Sequence, residues 1–512
     1  MNASAPVARR WLFADQLGPH FLDTDDQPVL LVQSRRAFAR RRFHRQKAHL
    51  VLSALRHRAA ELADRCEFRA VDRYTDAAGD RALTVCHPTT RGALALVQRL
   101  PGVQVLPARG FVTGMADFAA WADGRGRLLM EDHYRIARRR QGVLMDGDEP
   151  AGGRWNFDAD NREPPPKPRR GRSGPPTLGV PEPWWPQEDE IDEQVRRDLD
   201  RWERDGDVRF VGRDGPRRFA ATRDEALQAL EHFVAHRLAA FGRYEDAMLA
   251  DDAWMAHSLL SAPLNLGLLD PLEVVHRVED AYRGGQAPIA AAETVVRQIL
   301  GWRDYVWHLY WYLGPDYPAG NGLRARRGLP DWFAELDADA VQARCLSGVL
   351  ADLRDHGWVH HIPRLMVLGN FALQQGWDPA ELTDWFHRCF VDGYEWVMVA
   401  NVVGMSQFAD GGRITTKPYA AGGAYINRMS DYCGPCVYRP TVRVGEQACP
   451  FTAGYWNFLH RHRASCPATT GWPSRCAGWT GWPTWTRCWT RNAAAAPTRP
   501  EQRPRPRDQV PR

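Results

Sequence analysis

Cys433 and Cys436 form a C-x-x-C pair in MSDYCGPCVYRP, and Cys449 follows in GEQACPF. Two-residue spacing puts two sulfurs on one turn around a shared metal, and thiolates from elsewhere complete a sulfur-rich site. Cys345 in QARCLSGVL is the best fourth member. Cys66 and Cys86 fall in a different half of the chain, and Cys389 sits in an apolar helical pattern. Zinc and an iron–sulfur cluster both suit such a set, and scattered core cysteines are the plain alternative. The segment HSLLS (257–261) brings hydroxyl and backbone donors to a helix start, which suits a pyrophosphate, although single serines there usually cap the helix. The neighbours His360 and His361 also open a helix; their protons exchange near neutral pH, so acid catalysis competes with ordinary capping or packing.

Elements must hold these groups. Between residues 11 and 120, short apolar runs (11–17, 29–32, 68–71, 103–106) alternate with helix-length patterns (47–63, 91–100). Such alternation predicts an α/β domain with a doubly wound parallel sheet, over 1–130. The basic stretch RRAFARRRFHRQK (35–47) reads as a solvated helix face before an anion site. Residues 131–222 read as an interdomain linker, with PPPKPRRGRSGPP and PEPWWPQ at its centre. From 223 to 463 the apolar period is about 3.6 residues, in segments 225–240, 271–282, 290–312, 341–356, 362–375 and 379–392, so the second domain is all-α.

Composition sets outer bounds. The chain has 512 residues, 44% hydrophobic and 25% charged, with 21 Trp and a net charge of +5. Two cores and a soluble monomer are expected, and nucleic-acid binding is compatible with the charge. No run approaches eighteen apolar residues and no secretory signal opens the chain, so neither a membrane span nor export is expected. Ten cysteines in such a chain point to buried thiols or metal ligands in a reducing cytoplasm rather than to disulfides. Residues 464–512 keep one branched aliphatic residue, Val510, among five Trp and many Pro and Arg. They read as disordered or as out-of-frame translation of a GC-rich gene, with Cys466, Cys476 and Cys488 as non-ligands. A chain so altered at its end is open to a third reading, an inactive product.

The run EWVMVANVVGMSQFADGGRITTKPYAAGGAYINRMSDYCGPC (395–436) resembles the C-terminal signature of the iron–sulfur branch of the photolyase and cryptochrome superfamily. The resemblance extends through HSLLSAPLNLGLL, RQILGWRDYVWHLYW, HHIPRLMVLGNFAL and GGRWNFDADNREP, over about 11–463. It implies a photolyase/cryptochrome fold with an antenna-type α/β domain and a helical FAD domain. By resemblance, Cys345, Cys433, Cys436 and Cys449 hold a 4Fe-4S cluster. Tyr244, His257, Ser258, Leu259, Leu260, Ser261 and Asn265 contact FAD. Arg364 and Asp392 flank the flavin edge, and Asn401 stands beside flavin N5. Trp385 matches the flavin-proximal electron carrier.

The resemblance further implies light-driven repair of UV-damaged DNA, of the (6-4) photoproduct type, by electron transfer from reduced FAD. His361 is the implied proton donor, with His360 supporting it. Tyr419 and Met405 match lesion-pocket positions, and Gln298, Trp302 and Arg303 lie on a helix facing DNA. The other reading on the same fold and cofactors is a cryptochrome-like blue-light photoreceptor; the histidine pair favours repair. A ribolumazine antenna is implied near Phe13 to Gln16 of LFADQLG, although LVQSRR carries Gln33 where relatives tend to have an acidic residue.

Overall fold

The computed structural model describes residues 8–77, 82–166 and 175–463. The expectation for 464–512 falls outside them.

Five parallel strands build the N-terminal sheet: β1 (Arg9–Leu12), β2 (Val29–Ser34), β3 (Cys66–Val71), β4 (Leu83–Cys86) and β5 (Val103–Leu106), in the order β3-β2-β1-β4-β5. The order reverses between β1 and β4, so the sheet is doubly wound. Arg10 pairs with Val29 on one side and Thr84 on the other. Strand β4, LTVC, had no expectation of its own.

Helices Arg45–Leu62 and Arg91–Gln98 match the predicted pair closely. The basic stretch before the first does not behave as a solvated face throughout. Arg41 pairs with Asp384 and Arg42 with Glu335 of the helical half, and Arg45 lies against Asp200 and Glu203. His44, Arg45, Gln46 and Lys47 are all buried. The stretch is therefore an inter-element clasp. Its charges meet carboxylates supplied by segments more than a hundred residues away, which no local pattern reveals.

The stretch read as linker carries two helices, Met130–Gln141 and Glu190–Arg204. Asp189 starts the second with a capping box, its carboxylate accepting from the Ile191 and Asp192 amides. The C-terminal half is helical as expected, but three of its helices are not uniform. Residues Arg297–Arg303, Pro363–Gly369 and Val399–Ser406 wind as π-helix. Each such stretch widens the turn and shifts the register of the side chains after it, a device common at functional sites.

One hydrophobic cluster runs from Leu12 and Leu31 on the sheet through Leu264 and Val275 to Trp307 and Trp396. A second encloses Cys345, Trp385 and Phe451. The sheet and the first helices of the C-terminal half thus share buried apolar surface, which binds the halves together. Among the described residues, no helix is long and apolar enough to cross a membrane.

Candidate functional site

The three π-helical stretches converge on a cavity of about 300 Å³. Gln298, Trp302 and Arg303 come from the first, Arg364 from the second and Asn401 from the third. The loop from His257 to Ser261 closes one wall, with Asn265 one turn further on. Leu259 sits there at φ +59°, a left-handed conformation that costs a leucine about 1 kcal/mol and marks a constrained loop. Ser258 and Leu260 line the cavity on either side of it. Gly357, also left-handed at φ +62°, ends the helix Arg344–His356 and turns the chain toward His360. A Cβ at Gly357 would come within 2.9 Å of Val391 and 3.0 Å of His44.

Arg364 donates through both terminal nitrogens to the two Asp392 oxygens, at 2.8 and 3.0 Å, and through Nε to the Val359 carbonyl at 2.7 Å. Asp392 also accepts from Ser261 Oγ at 2.7 Å, and its carbonyl accepts from Asn265 Nδ2 at 3.1 Å. The guanidinium lies 4.3 Å from the Phe390 ring centre. Lys47, from the N-terminal half, donates to the His387 carbonyl at 2.6 Å and to the Gly393 carbonyl, so it grips the loop that carries Asp392. Burial pushes the Lys47 amine down to about 7.

Three imidazoles gather at one end. His257 stacks on His360 with ring centres 4.3 Å apart, and His361 stands 5.6 Å and 5.9 Å from them. Burial, then the neighbouring imidazoles, holds His257 and His360 well below the usual histidine range. Burial also works against charge on His361. There, the Asp246 carboxylate, 3.4 Å from Nε2, and the nearby Glu245 outweigh it and raise the pKa. Glu245 lines the cavity and accepts from Gln298 Nε2 at 2.8 Å; burial raises its carboxyl to about 7. One protonatable imidazole therefore stands at the cavity beside two that burial keeps neutral.

All four expected cysteines, Cys345, Cys433, Cys436 and Cys449, line one small separate pocket, with Tyr432, Tyr438 and Phe451 around them. Burial raises the thiols of Cys345, Cys433 and Cys449. A Cβ on Gly423 would come within 2.7 Å of Cys449 Sγ, so only glycine leaves the thiol its place.

Residues 10–207 match the family of deoxyribodipyrimidine photo-lyase-related proteins. Over 481 residues the chain is 39% identical to a protein of Agrobacterium fabrum named as a (6-4) photolyase, covering 88% of this chain and 91% of that one. The chain belongs to the deoxyribodipyrimidine photo-lyase-related family.

Solved structures agree on the fold. A bacterial class III photolyase from Agrobacterium tumefaciens superposes with a TM-score of 0.54 at 15% identity, covering 97% of this chain and 98% of that one. A Synechocystis cryptochrome superposes with the same score at 13% identity, covering 93% and 95%. Both carry the photolyase/cryptochrome architecture that this family member shares.

Other expected residues of this photo-lyase-related chain lie away from the cavity wall. Tyr244 faces Arg243 and packs with Ala247, Leu249 and Met255, while its neighbour Glu245 takes the inward position. Met405 and Tyr419 are half-buried beyond the lining, and Asp246 and Asp158 lie near the Tyr419 hydroxyl. Trp385 is fully buried outside the lining, stacked on Phe333 at 4.3 Å, with Phe390 6.1 Å away. Arg303, expected to face DNA, does stand on the cavity wall, but its terminal nitrogens donate to the carbonyls of Gly110 and Leu264, which turns its charge inward. Glu245 and Trp358 line the cavity without having been singled out. Only their inward placement marks them.

At the sheet's switch point, Thr89 donates to Asp15, and Gln16 Nε2 donates to the Cys86 carbonyl at 3.1 Å. Phe13 packs on Trp11 at 5.0 Å. Gln33 is buried and accepts from Arg56 Nε at 2.9 Å.

Proposed function

We propose that this chain is a light-driven DNA repair photolyase acting on (6-4) pyrimidine-pyrimidone photoproducts. One observation carries the reading: the His257–His360–His361 group and the Arg364–Asp392 pair line the same cavity. The similarity to a protein named as a (6-4) photolyase supports it.

FAD fits the cavity by the donors present. His257 Nε2 and His360 Nδ1 are buried without a protein partner, and Ser258, Ser261 and Asn265 lie on the same wall. Arg364, oriented by Asp392, is the cation for the flavin edge, and Asn401 stands on the opposite stretch. When bound, reduced flavin supplies an electron on absorbing blue light. The other steps belong to the chain itself. Trp302 offers a stacking face to a base turned out of damaged duplex, which costs less where pairing is already lost. His361 holds a proton at the cavity, and Asp246 keeps that proton in place. Trp385, behind Phe390, is assigned to electron delivery.

Cys345, Cys433, Cys436 and Cys449 are assigned to a 4Fe-4S cluster. A single zinc ion with Zn–S bonds of about 2.3 Å draws its sulfurs to about 3.8 Å of one another. No three of these four sulfurs lie within 4.8 Å of one another, and that wider spread supports a multi-iron centre. A ribolumazine antenna at the strand ends is supported by Gln16 Oε1, which is buried without a partner.

A light-dependent repair assay on an oligonucleotide with one (6-4) lesion tests the function. Turnover in blue light and none in darkness is the expected result. A flavin-loaded protein that binds the lesion but never repairs it would instead favour a blue-light photoreceptor. An absorption spectrum of the purified chain tests both assigned cofactors together.

A further inference from the structure

A second cavity, of about 110 Å³, opens beside the thiol pocket and shares Ala343, Tyr438 and Pro450 with it. Its walls are aromatic, with Trp332, Phe371, Trp377 and Tyr438 around it, and Arg327 and Gln342 stand exposed at its rim. Arg327 Nη1 donates to the Gln375 carbonyl at 3.2 Å, and among the described residues no carboxylate pairs with the guanidinium. The Tyr438 hydroxyl donates to Gln342 Oε1 at 3.2 Å. Aromatic faces with a few polar atoms at their edge suit a small flat ring that carries hydroxyls.

The same cavity ends an aromatic path. Trp385 stacks on Phe333 at 4.3 Å, Phe333 meets Trp377 at 4.6 Å, and Trp332 stands 6.1 Å from Trp377. Trp385 and Trp377 touch one phenyl ring, so a single hop across it joins them. Trp385 is fully buried and Trp377 is 3% exposed, whereas Trp332 is half-buried, so the path begins sealed and reaches solvent at the cavity. Another aromatic path leaves the flavin-side wall at Trp396 and runs through Phe111 to Trp307 and Trp311. Cations guard it: Arg303 lies 5.5 Å from the Trp396 ring and Arg91 lies 5.5 Å from the Trp311 ring. A positive hole on either indole is repelled there. Among the described residues no such cation is stacked on Trp385, Trp377 or Trp332.

We propose that this cavity binds a one-ring reductant of the hydroquinone or catechol class, and that Trp332 and Trp377 carry its electron to Trp385. The relay half rests on the flavin reading above; the binding half does not. Trp385 gives one electron to photoexcited flavin, and the positive hole passes to Trp377 and then to Trp332. The bound dihydroxybenzene refills Trp332, releases the proton of its oxidised hydroxyl to water, and leaves as a neutral aryloxyl radical. One electron thus leaves the donor, one reaches the flavin, and the three tryptophans return to their starting state.

Calorimetry with hydroquinone, on the full chain as purified with its pigments, in darkness and without oxygen, decides the binding half. A saturable heat with one molecule per chain is expected. Trp332→Ala should weaken binding at least fivefold while the flavin spectrum persists, and Trp332→Phe, which keeps a ring on the wall, should bind within twofold of the parent. No heat with the parent protein, or unchanged affinity in Trp332→Ala, overturns the site. Transient absorption after a blue flash decides the relay. In the parent, the tryptophan radical should decay faster as hydroquinone rises and level off where the heats saturate. In Trp332→Phe and Trp377→Phe that response should shrink at least tenfold. A decay rate that climbs in proportion to hydroquinone without levelling, or an undiminished response in both variants, overturns the relay. A chain that holds no flavin gives no radical; that result sinks the flavin reading and the relay with it, whereas the binding claim stands or falls on the heats.

Discussion

Arg364 and Asp392 meet through two parallel bonds of 2.8 and 3.0 Å at the wall of the cavity, with the carboxylate almost wholly buried. Removing one partner leaves the other charged and desolvated. Asp392→Asn should therefore cost about 3–5 kcal/mol in urea unfolding. Arg364→Lys should cost less but lose the fork, so flavin retained after gel filtration should fall in both. Full flavin retention in Arg364→Lys would mean that the fork does not serve the cofactor.

The proton on His361 depends on Asp246. Burial alone would lower this pKa, but the carboxylates raise it above the usual histidine value. The protonated donor is therefore present at low pH and lost as pH rises through the raised pKa, and the stabilisation it brings is lost in the same window. Repair rate should fall in that direction, and Asp246→Asn should move the fall to lower pH. Identical pH–rate profiles for parent and variant would separate Asp246 from the proton.

Glu245 moves stability in the same direction with pH. Burial lifts its carboxyl from 4.5 to about 7, so between these values the native state binds a proton that the unfolded chain has released. Stability should decline as pH climbs from 4.5 to 7. Glu245→Gln should flatten that decline by about 3 kcal/mol, measured as urea midpoints across the window.

Gly423 tests the thiol pocket. An added methyl would press on Cys449 Sγ at 2.7 Å and on Thr452 Oγ1 at 2.9 Å. Gly423→Ala should lower iron per chain at least twofold while leaving flavin content near the parent value. Unaltered iron with an unaltered spectrum would place the metal elsewhere.

Trp385 donates Nε1–H to the Phe333 carbonyl at 3.1 Å and fills a sealed core. Trp385→Phe keeps most of that packing but removes the most readily oxidised ring. Photoreduction of the flavin should slow at least tenfold by transient absorption, while repair by chemically reduced protein continues.

Periodicity and residue type were enough to read the parallel α/β half and the helical half, and they marked the C-x-x-C pair and the adjacent imidazoles as candidates. These features are local: a strand alternates, a helix repeats, and a C-x-x-C turn brings its own two sulfurs together. The sequence also held, through its long resemblance, the positions of Arg364 and Asp392, which no spacing rule joins across 28 residues.

Tertiary structure alone decided which neighbour faces inward. Glu245 lines the cavity instead of Tyr244, and Arg303 is spent on two carbonyls although its position suggested DNA. A π-helical turn alters the angle of every side chain after it, and the 3.6-residue period cannot register that change. The basic stretch at 35–47 became a clasp for the same kind of reason. Its partners Glu335 and Asp384 lie hundreds of residues away, and only the packed fold brings charge to charge.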